Sequence, residues 1–173
     1  MSEYWEQRYA AGKTSGLQSH REWEHSIIDP YLTKLSTVLD VGCGDLAFWQ
    51  DYKLPFLYTG IDISPTIITK NRKQHPDMTF ICGDINTLEL QKYDIVLCLN
   101  VIYHLMQDDI QPLIQKIYDA GTYHIFLTNW SSEPLTYDDR YQRHHTIAIP
   151  YNAFEIYTYF NTVMYHIDKE QAQ

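Results

Sequence analysis

From Thr37 onward the chain repeats one pattern: a short, almost unbroken apolar run, a break at glycine or an acid, and then a polar stretch. Val38-Leu39-Asp40-Val41 stops at Gly42-Cys43-Gly44, and Leu57-Tyr58-Thr59-Gly60-Ile61 stops at Asp62. Residues 78–82 stop at Gly83-Asp84, residues 95–99 stop at Asn100, and residues 123–128 make a fifth run. Runs of this length, apolar at nearly every position, suit strands covered on both faces. Between them the polar stretches read as helices. Ser64 caps one that Pro65 opens and Pro76 closes; Asp108-Asp109 and Pro112 open another through Tyr118, with Gly121 as its C′ residue. Residues 2–11 predict a helix ended by Gly12. Residues 22–32 predict a second, with Trp23, Ile27, Ile28 and Tyr31 as its apolar side and Pro30 bending or ending it.

Strands alternating with helices predict an α/β fold, a Rossmann-like, mostly parallel sheet flanked by helices and joined by right-handed crossovers. The tail breaks the alternation. Residues 131–145 read as a polar loop, and residues 154–158 and 162–167 read as two strands turning at Asn161, a C-terminal antiparallel hairpin. A helix over 153–160 is the competing assignment; β-branched and aromatic content favours strand.

At 173 residues and 45% apolar composition the chain predicts one domain. Its parts are an N-terminal segment at 1–20, a core at 36–130, and a loop and hairpin at 131–173. Lys and Arg total 13 against 22 Asp and Glu, a formal charge of −9. Such a surface repels a phosphate backbone, and the small basic group Lys70, Arg72 and Lys73 falls on one solvated helix end, so no nucleic-acid partner is expected. No apolar run approaches the length needed to cross about 30 Å of hydrocarbon, and Met1-Ser2-Glu3 opens no signal-peptide pattern. A soluble, cytoplasmic protein follows as the expectation. Cys43, Cys82 and Cys98 are odd in number and widely spaced, which predicts buried free thiols. His144-His145 finds no third ligand at a supporting spacing, so no metal is expected.

In a parallel sheet the strand ends carrying Asp40, Asp62 and Asp84 open on one edge, the edge where α/β folds bind ligands. Gly42 and Gly44 let backbone approach a ligand closely. Asp62, about 20 residues further on, suits a ribose diol, and Asp84 suits an adenine amino group. Each piece also has a plain structural reading: a tight turn, a cap ahead of Ser64-Pro65, a turn residue before Ile85-Asn86. The ordered set is the stronger signal.

That set resembles the class I S-adenosylmethionine-dependent methyltransferases over residues 37–128. Residues 38–44 are similar to the family's first motif, Tyr58-Thr59-Gly60-Ile61-Asp62-Ile63-Ser64 to its second, Cys82-Gly83-Asp84-Ile85 to its third and residues 93–105 to its fourth. Tyr4-Trp5-Glu6-Gln7-Arg8-Tyr9 resembles the cap segment that many small members place over the cofactor. The resemblance implies S-adenosylmethionine as cofactor. Gly42 and Gly44 would hold its methionine part, and Asp40 would face its ammonium directly or through water. Asp62 with Ile63 would take the ribose, Asp84 with Ile85 the adenine, and Asn100 would lie beside the sulfonium. The family's usual third glycine is Leu46 here. Position 47 is Ala47, so a dinucleotide-type G-x-G-x-x-A turn and a nicotinamide-linked reductase stay open, as does a catalytically silent module that binds adenosyl ligands.

Methyl transfer from a sulfonium needs alignment more than a base. Where a proton must leave, His104 is the first candidate and Tyr103 the second. Trp5, Tyr9 and Trp130 are candidate aromatic walls, and Arg8 a candidate partner for the donor's carboxylate; packing and solvation are the plain readings for each. Trp23 and Trp49 read as packing. The acidic surface points to a small or cationic methyl acceptor.

Overall fold

A computed structural model of the chain describes residues 2–15, 20–53, 57–130, 147, 154–159 and 162–170. Helix α1 spans Ser2–Ala10 and α2 Arg21–Ile28; strand β1 is Thr37–Val41, β2 Leu57–Asp62, and helix α3 Pro65–Gln74. Strands β3 (Thr79–Cys82) and β4 (Tyr93–Cys98), helix α4 (Gln107–Ala120) and strands β5 (Gly121–Trp130), β6 (Phe154–Tyr159) and β7 (Thr162–Asp168) follow. The seven strands form one sheet in the order β3-β2-β1-β4-β5-β7-β6. β1 to β5 pair parallel, while β7 runs antiparallel to both β5 and β6. This is the mostly parallel Rossmann-like sheet with a terminal antiparallel hairpin that the apolar pattern predicts. The polar loop expected at 131–145, with His144 and His145, lies outside the described residues.

Alternation along each strand divides the core in two. Val38, Tyr58, Ile95, Leu97, Phe126 and Met164 pack with Ile28 of α2 and Ile67 and Ile68 of α3. Leu39, Ile61, Val96, Ile125 and Leu127 pack under Ile110, Leu113, Ile114 and Ile117 of α4, whose apolar residues recur at helical spacing. Among the described residues no helix is long and apolar enough to cross a membrane.

Several local expectations are corrected. Helix α2 buries Glu24, His25 and Ile28, while Trp23, Ile27 and Tyr31 are only partly covered, so its inward face is rotated from the one the apolar residues suggest. His25 explains the rotation: its ring lies flat between Phe48 and Tyr52, Nδ1 meets Asp29 at 2.7 Å and Nε2 meets the Phe48 carbonyl at 2.9 Å. The helix gives way to a 3-10 turn, Asp29–Tyr31, at Pro30. Gly121 does end α4, its amide bonding the Ile117 carbonyl, but in extended rather than left-handed backbone. It has φ −73° and ψ 135° and begins β5 directly, where a Cβ would come within 2.6 Å of Ile125 Cγ1. Pro112 lies inside α4, past the first turn, rather than opening it. Cys82 is exposed, unlike Cys43 and Cys98, because it ends the edge strand β3.

Candidate active site

The strand order reverses between β1 and β4, which are neighbours in the sheet while their chain successors run to opposite sides. The loops leaving their carboxyl ends therefore part and leave a crevice. Around it Gly42 (φ 73°), Gly44 (φ 51°), Leu46 (φ 61°) and Asn100 (φ 61°) all hold left-handed backbone. A Cβ on Gly42 would overlap Val101 Cγ2, so glycine is what lets the loop after β1 lie against the loop after β4. Leu46, where the motif's third glycine would stand, keeps the left-handed conformation and a buried side chain, at a backbone cost of about 1–2 kcal/mol.

Asp40 sits at the foot of the glycine loop. Its Oδ2 accepts hydrogen bonds from Trp49 Nε1 at 2.9 Å and Tyr58 Oη at 2.8 Å. Burial pushes its carboxyl up to about 6 despite those two donors. Trp49 is thus packing with a polar task. Asp62 binds the loop itself: Oδ2 accepts from the Gly44 amide at 3.0 Å and Oδ1 from the Ser64 amide at 2.9 Å. Burial raises its carboxyl above the ordinary range, and the amides at Ser64 and Gly44 oppose the rise. Each oxygen can accept a further bond.

Helix α1 closes over this rim. Glu6 accepts from Ser64 Oγ and from the Thr66 amide and hydroxyl, so a carboxylate from α1 caps the first turn of α3. Ser15 donates its amide and hydroxyl to Asp45 at 3.2 and 2.6 Å, and Tyr9 Oη meets Ser15 Oγ at 2.9 Å. A Cβ on Gly44 would overlap Ser15 Oγ and come within 2.8 Å of Tyr9 Oη. Trp5 stacks on Tyr9 at 5.7 Å and meets His104 edge-on at 5.0 Å. Arg8 lies 5.9 Å over the Trp5 ring and donates to the Thr14 carbonyl and Tyr4 hydroxyl, partners within its own segment.

On the other side of the crevice Asn100 takes its amide to Thr128 Oγ1 at 2.7 Å and donates Nδ2 to Glu24 Oε1 at 3.2 Å. Tyr103 donates its hydroxyl to Asn100 Oδ1 at 3.3 Å. Glu24 has no exposed surface, its Oε2 has no hydrogen-bond partner among the described residues, and burial pushes its carboxyl up to about 7 against the pull of Asn100. Burial also pushes the Tyr103 phenol up, so it stays a proton donor.

The structure thus brings Trp5, Tyr9, Asp40, Gly42, Gly44, Asp62, Asn100, Tyr103 and His104 to one rim. Ile63 is half-buried beside Asp62, and Ile85 packs with Ile61. Asp84 is exposed and holds a local turn by accepting from the Asn86 amide at 2.9 Å, although the neighbouring Gly83 amide bonds the Asp62 carbonyl. Trp130 ends β5, and its side chain is outside the described set. The residues that motif reading missed are Glu24 and Asp45, and Tyr58, though quoted within the second motif, was given no role there. Glu24 alone had a sequence signal: a carboxylate four residues before Ile28, on what becomes the buried side of α2.

Comparison with known proteins agrees with this fold. The family model described as a methyltransferase domain matches residues 38–121. The magnesium protoporphyrin IX methyltransferase of Synechocystis PCC 6803, solved with bound SAH, superposes with a TM-score of 0.60 at 18% identity, covering 85% of this chain and 82% of that one. The methyltransferase domain of bacterial CtHen1-C gives a TM-score of 0.63 at 13% identity over 87% and 97%. The PH0226 protein of Pyrococcus horikoshii OT3 gives 0.58 at 15% identity over 88% and 92%. No curated protein matches the chain.

Proposed function

We propose that the chain is a class I S-adenosylmethionine-dependent methyltransferase, a reading supported by the methyltransferase-domain match over residues 38–121 and by the shared fold, and that it methylates a small or cationic acceptor whose nucleophile is a basic nitrogen received by Glu24. The nicotinamide-linked reductase reading falls away with the family match. The residues fit the methyl donor. It carries a sulfonium and an ammonium and no phosphate, and the crevice offers three buried carboxyls, Glu24, Asp40 and Asp62, beside bare backbone at Gly42 and Gly44. Gly42, Gly44 and Asp40 would hold its methionine part, Asp62 with Ile63 its ribose, Asp84 with Ile85 its adenine, and Asn100 would stand beside the sulfonium, with Trp5 and Tyr9 as walls. When bound, the donor supplies an already activated methyl group, so alignment and exclusion of water are the protein's main tasks.

The observation that carries the acceptor class is the Glu24 carboxyl, buried, held at one oxygen by Asn100 and poised near neutrality. A cationic amine entering beside Asn100 meets a carboxylate there, and its proton passes to Glu24, freeing the nitrogen lone pair. Tyr103 holds the Asn100 amide in its orientation and keeps its own proton. His104, half-buried against Trp5, relays the proton toward solvent. The net charge of −9 favours cations over polyanions, so nucleic acid is not the acceptor. The same reading places the protein in the cytoplasm, where Cys43, Cys82 and Cys98 stay thiols.

Two measurements test this. Saturating S-adenosylmethionine at about 100 times its Kd adds roughly 2.7 kcal/mol of stability where NAD adds none. A panel of amines, alcohols and oligonucleotides is then scored by S-adenosylhomocysteine release. Turnover restricted to amines supports the assignment, and turnover on nucleic acid alone overturns the acceptor class while leaving the donor intact.

A further inference from the structure

Toward the opposite end of the strands from the crevice, β5 and β7 carry a second constellation. Because β7 runs antiparallel to β5, His124 lies directly opposite Asp168 and Phe126 opposite His166. The two-residue period puts all four side chains on the same face. His124 Nδ1 and His166 Nε2 are 3.2 Å apart, and one ligand atom from each of His124, His166 and Asp168 lies within 4.8 Å of the others. We propose that these three residues bind a divalent transition-metal cation, zinc first, which ties the antiparallel tail to the parallel sheet.

Two imidazoles and a carboxylate are a borderline donor set suited to zinc and its neighbours rather than to calcium or magnesium. Zinc–nitrogen bonds of about 2.0–2.1 Å at a tetrahedral angle put two nitrogens about 3.3 Å apart, close to the spacing already present. The rings are held by their surroundings. Phe126 stacks on His166 at 4.3 Å and 8°, and Tyr31 packs on His124 at 4.5 Å and on His166 at 4.7 Å. His166 is buried, while His124 and Asp168 are half-buried, so a cation enters from the rim and settles against a covered imidazole. Asp168 Oδ1 also accepts from the Glu170 amide at 2.9 Å, which fixes the carboxylate at the strand end. The site is separate from methyl transfer: His124 is in register with Ile95, five residues before Asn100, which is about 15 Å along a strand. Linear spacing pointed to no metal because the ligands come from positions 124, 166 and 168 and only the sheet brings them together.

The test uses the full chain without a polyhistidine tag, stripped with chelator and titrated with zinc chloride by calorimetry. One equivalent should bind with micromolar or tighter Kd. His124→Gln and Asp168→Asn, both at half-buried positions, should each weaken binding by at least 10-fold. His166→Gln should do the same if circular dichroism shows it folded. A His144→Gln/His145→Gln double variant should bind zinc as the parent does. Absence of saturable binding, or binding that survives both His124→Gln and Asp168→Asn, overturns the proposal. S-adenosylmethionine affinity, followed in parallel, should be unchanged in His124→Gln, which separates this site from the methyl-transfer reading.

Discussion

Asn100 and Glu24 stand 76 residues apart in the sequence and meet at 3.2 Å, the side-chain amide of one donating to a carboxylate oxygen of the other. The contact ties helix α2 to the residue that leaves β4, and it leaves the second oxygen of Glu24 facing no protein donor among the described residues.

Glu24→Gln therefore separates stability from activity. The Glu24 carboxyl rises from 4.5 to about 7 through burial, so folding favours its protonated form. Its stabilising share is complete below pH 4.5 and is lost as pH rises through 7. That rise of the carboxyl corresponds to about 3 kcal/mol. Whatever fixed offset the new amide brings, the stability of Glu24→Gln relative to the parent should increase by about that amount between pH 4.5 and 8, read by urea unfolding. Asp40, raised to about 6, gives both proteins a further fall between about pH 4 and 6. Over the same range amine methylation by the variant should be down by about 10²–10⁴-fold. A variant with parental turnover would remove Glu24 from the reaction.

Gly44→Ala should loosen the N-terminal segment. The new methyl group overlaps Ser15 Oγ and crowds Tyr9 Oη, and φ 51° adds about 1–2 kcal/mol of backbone strain. Donor affinity should drop at least 10-fold, and proteolysis should cut near residue 15 faster than in the parent. Unchanged donor affinity would mean that the segment does not close over the site.

Asp62→Asn is the sharper probe of the ribose assignment. Its two oxygens hold the Gly44 and Ser64 amides, and asparagine can serve only one of them as an acceptor. At pH 7 a stability loss of about 1–3 kcal/mol should accompany loss of the thermal shift caused by S-adenosylmethionine. If the shift persists at full size, the ribose lies elsewhere.

The cysteines make a direct accessibility test. Burial pushes the Cys98 thiol up to about 12 and the Cys43 thiol well up, while Cys82 is exposed at the end of β3. A thiol reagent should titrate one group quickly in the native protein and three in denaturant. Two fast groups would contradict the packing described here.

Most strands were legible because each is a short apolar run closed by a distinctive residue; Gly42, Asp62 and Asn100 mark both the strand ends and the rim. The hairpin of β6 and β7 was legible from its β-branched and aromatic content. What escaped reading depends on contacts distant in sequence. The inward face of α2 is set by His25 between Phe48 and Tyr52, not by the residues of the helix. Gly121 reads as a helix stop and is one, but its pairing with Tyr93 and the close approach of Ile125 could not be read from the sequence. Asp40 reads as a ligand-facing acid, but its partners Trp49 and Tyr58 come from the segments that follow β1. Leu46 in left-handed backbone is a departure that the fold tolerates rather than corrects.

The bond from the Trp49 indole to the Asp40 carboxylate gives the protein an internal optical reporter. An indole emission tuned by an adjacent charge changes when that charge is neutralised, and this one lies beside the glycine turn proposed to hold the donor's methionine part. Fluorescence lost in Trp49→Phe would isolate the signal, so occupancy of the pocket can be followed in real time without labelling the chain.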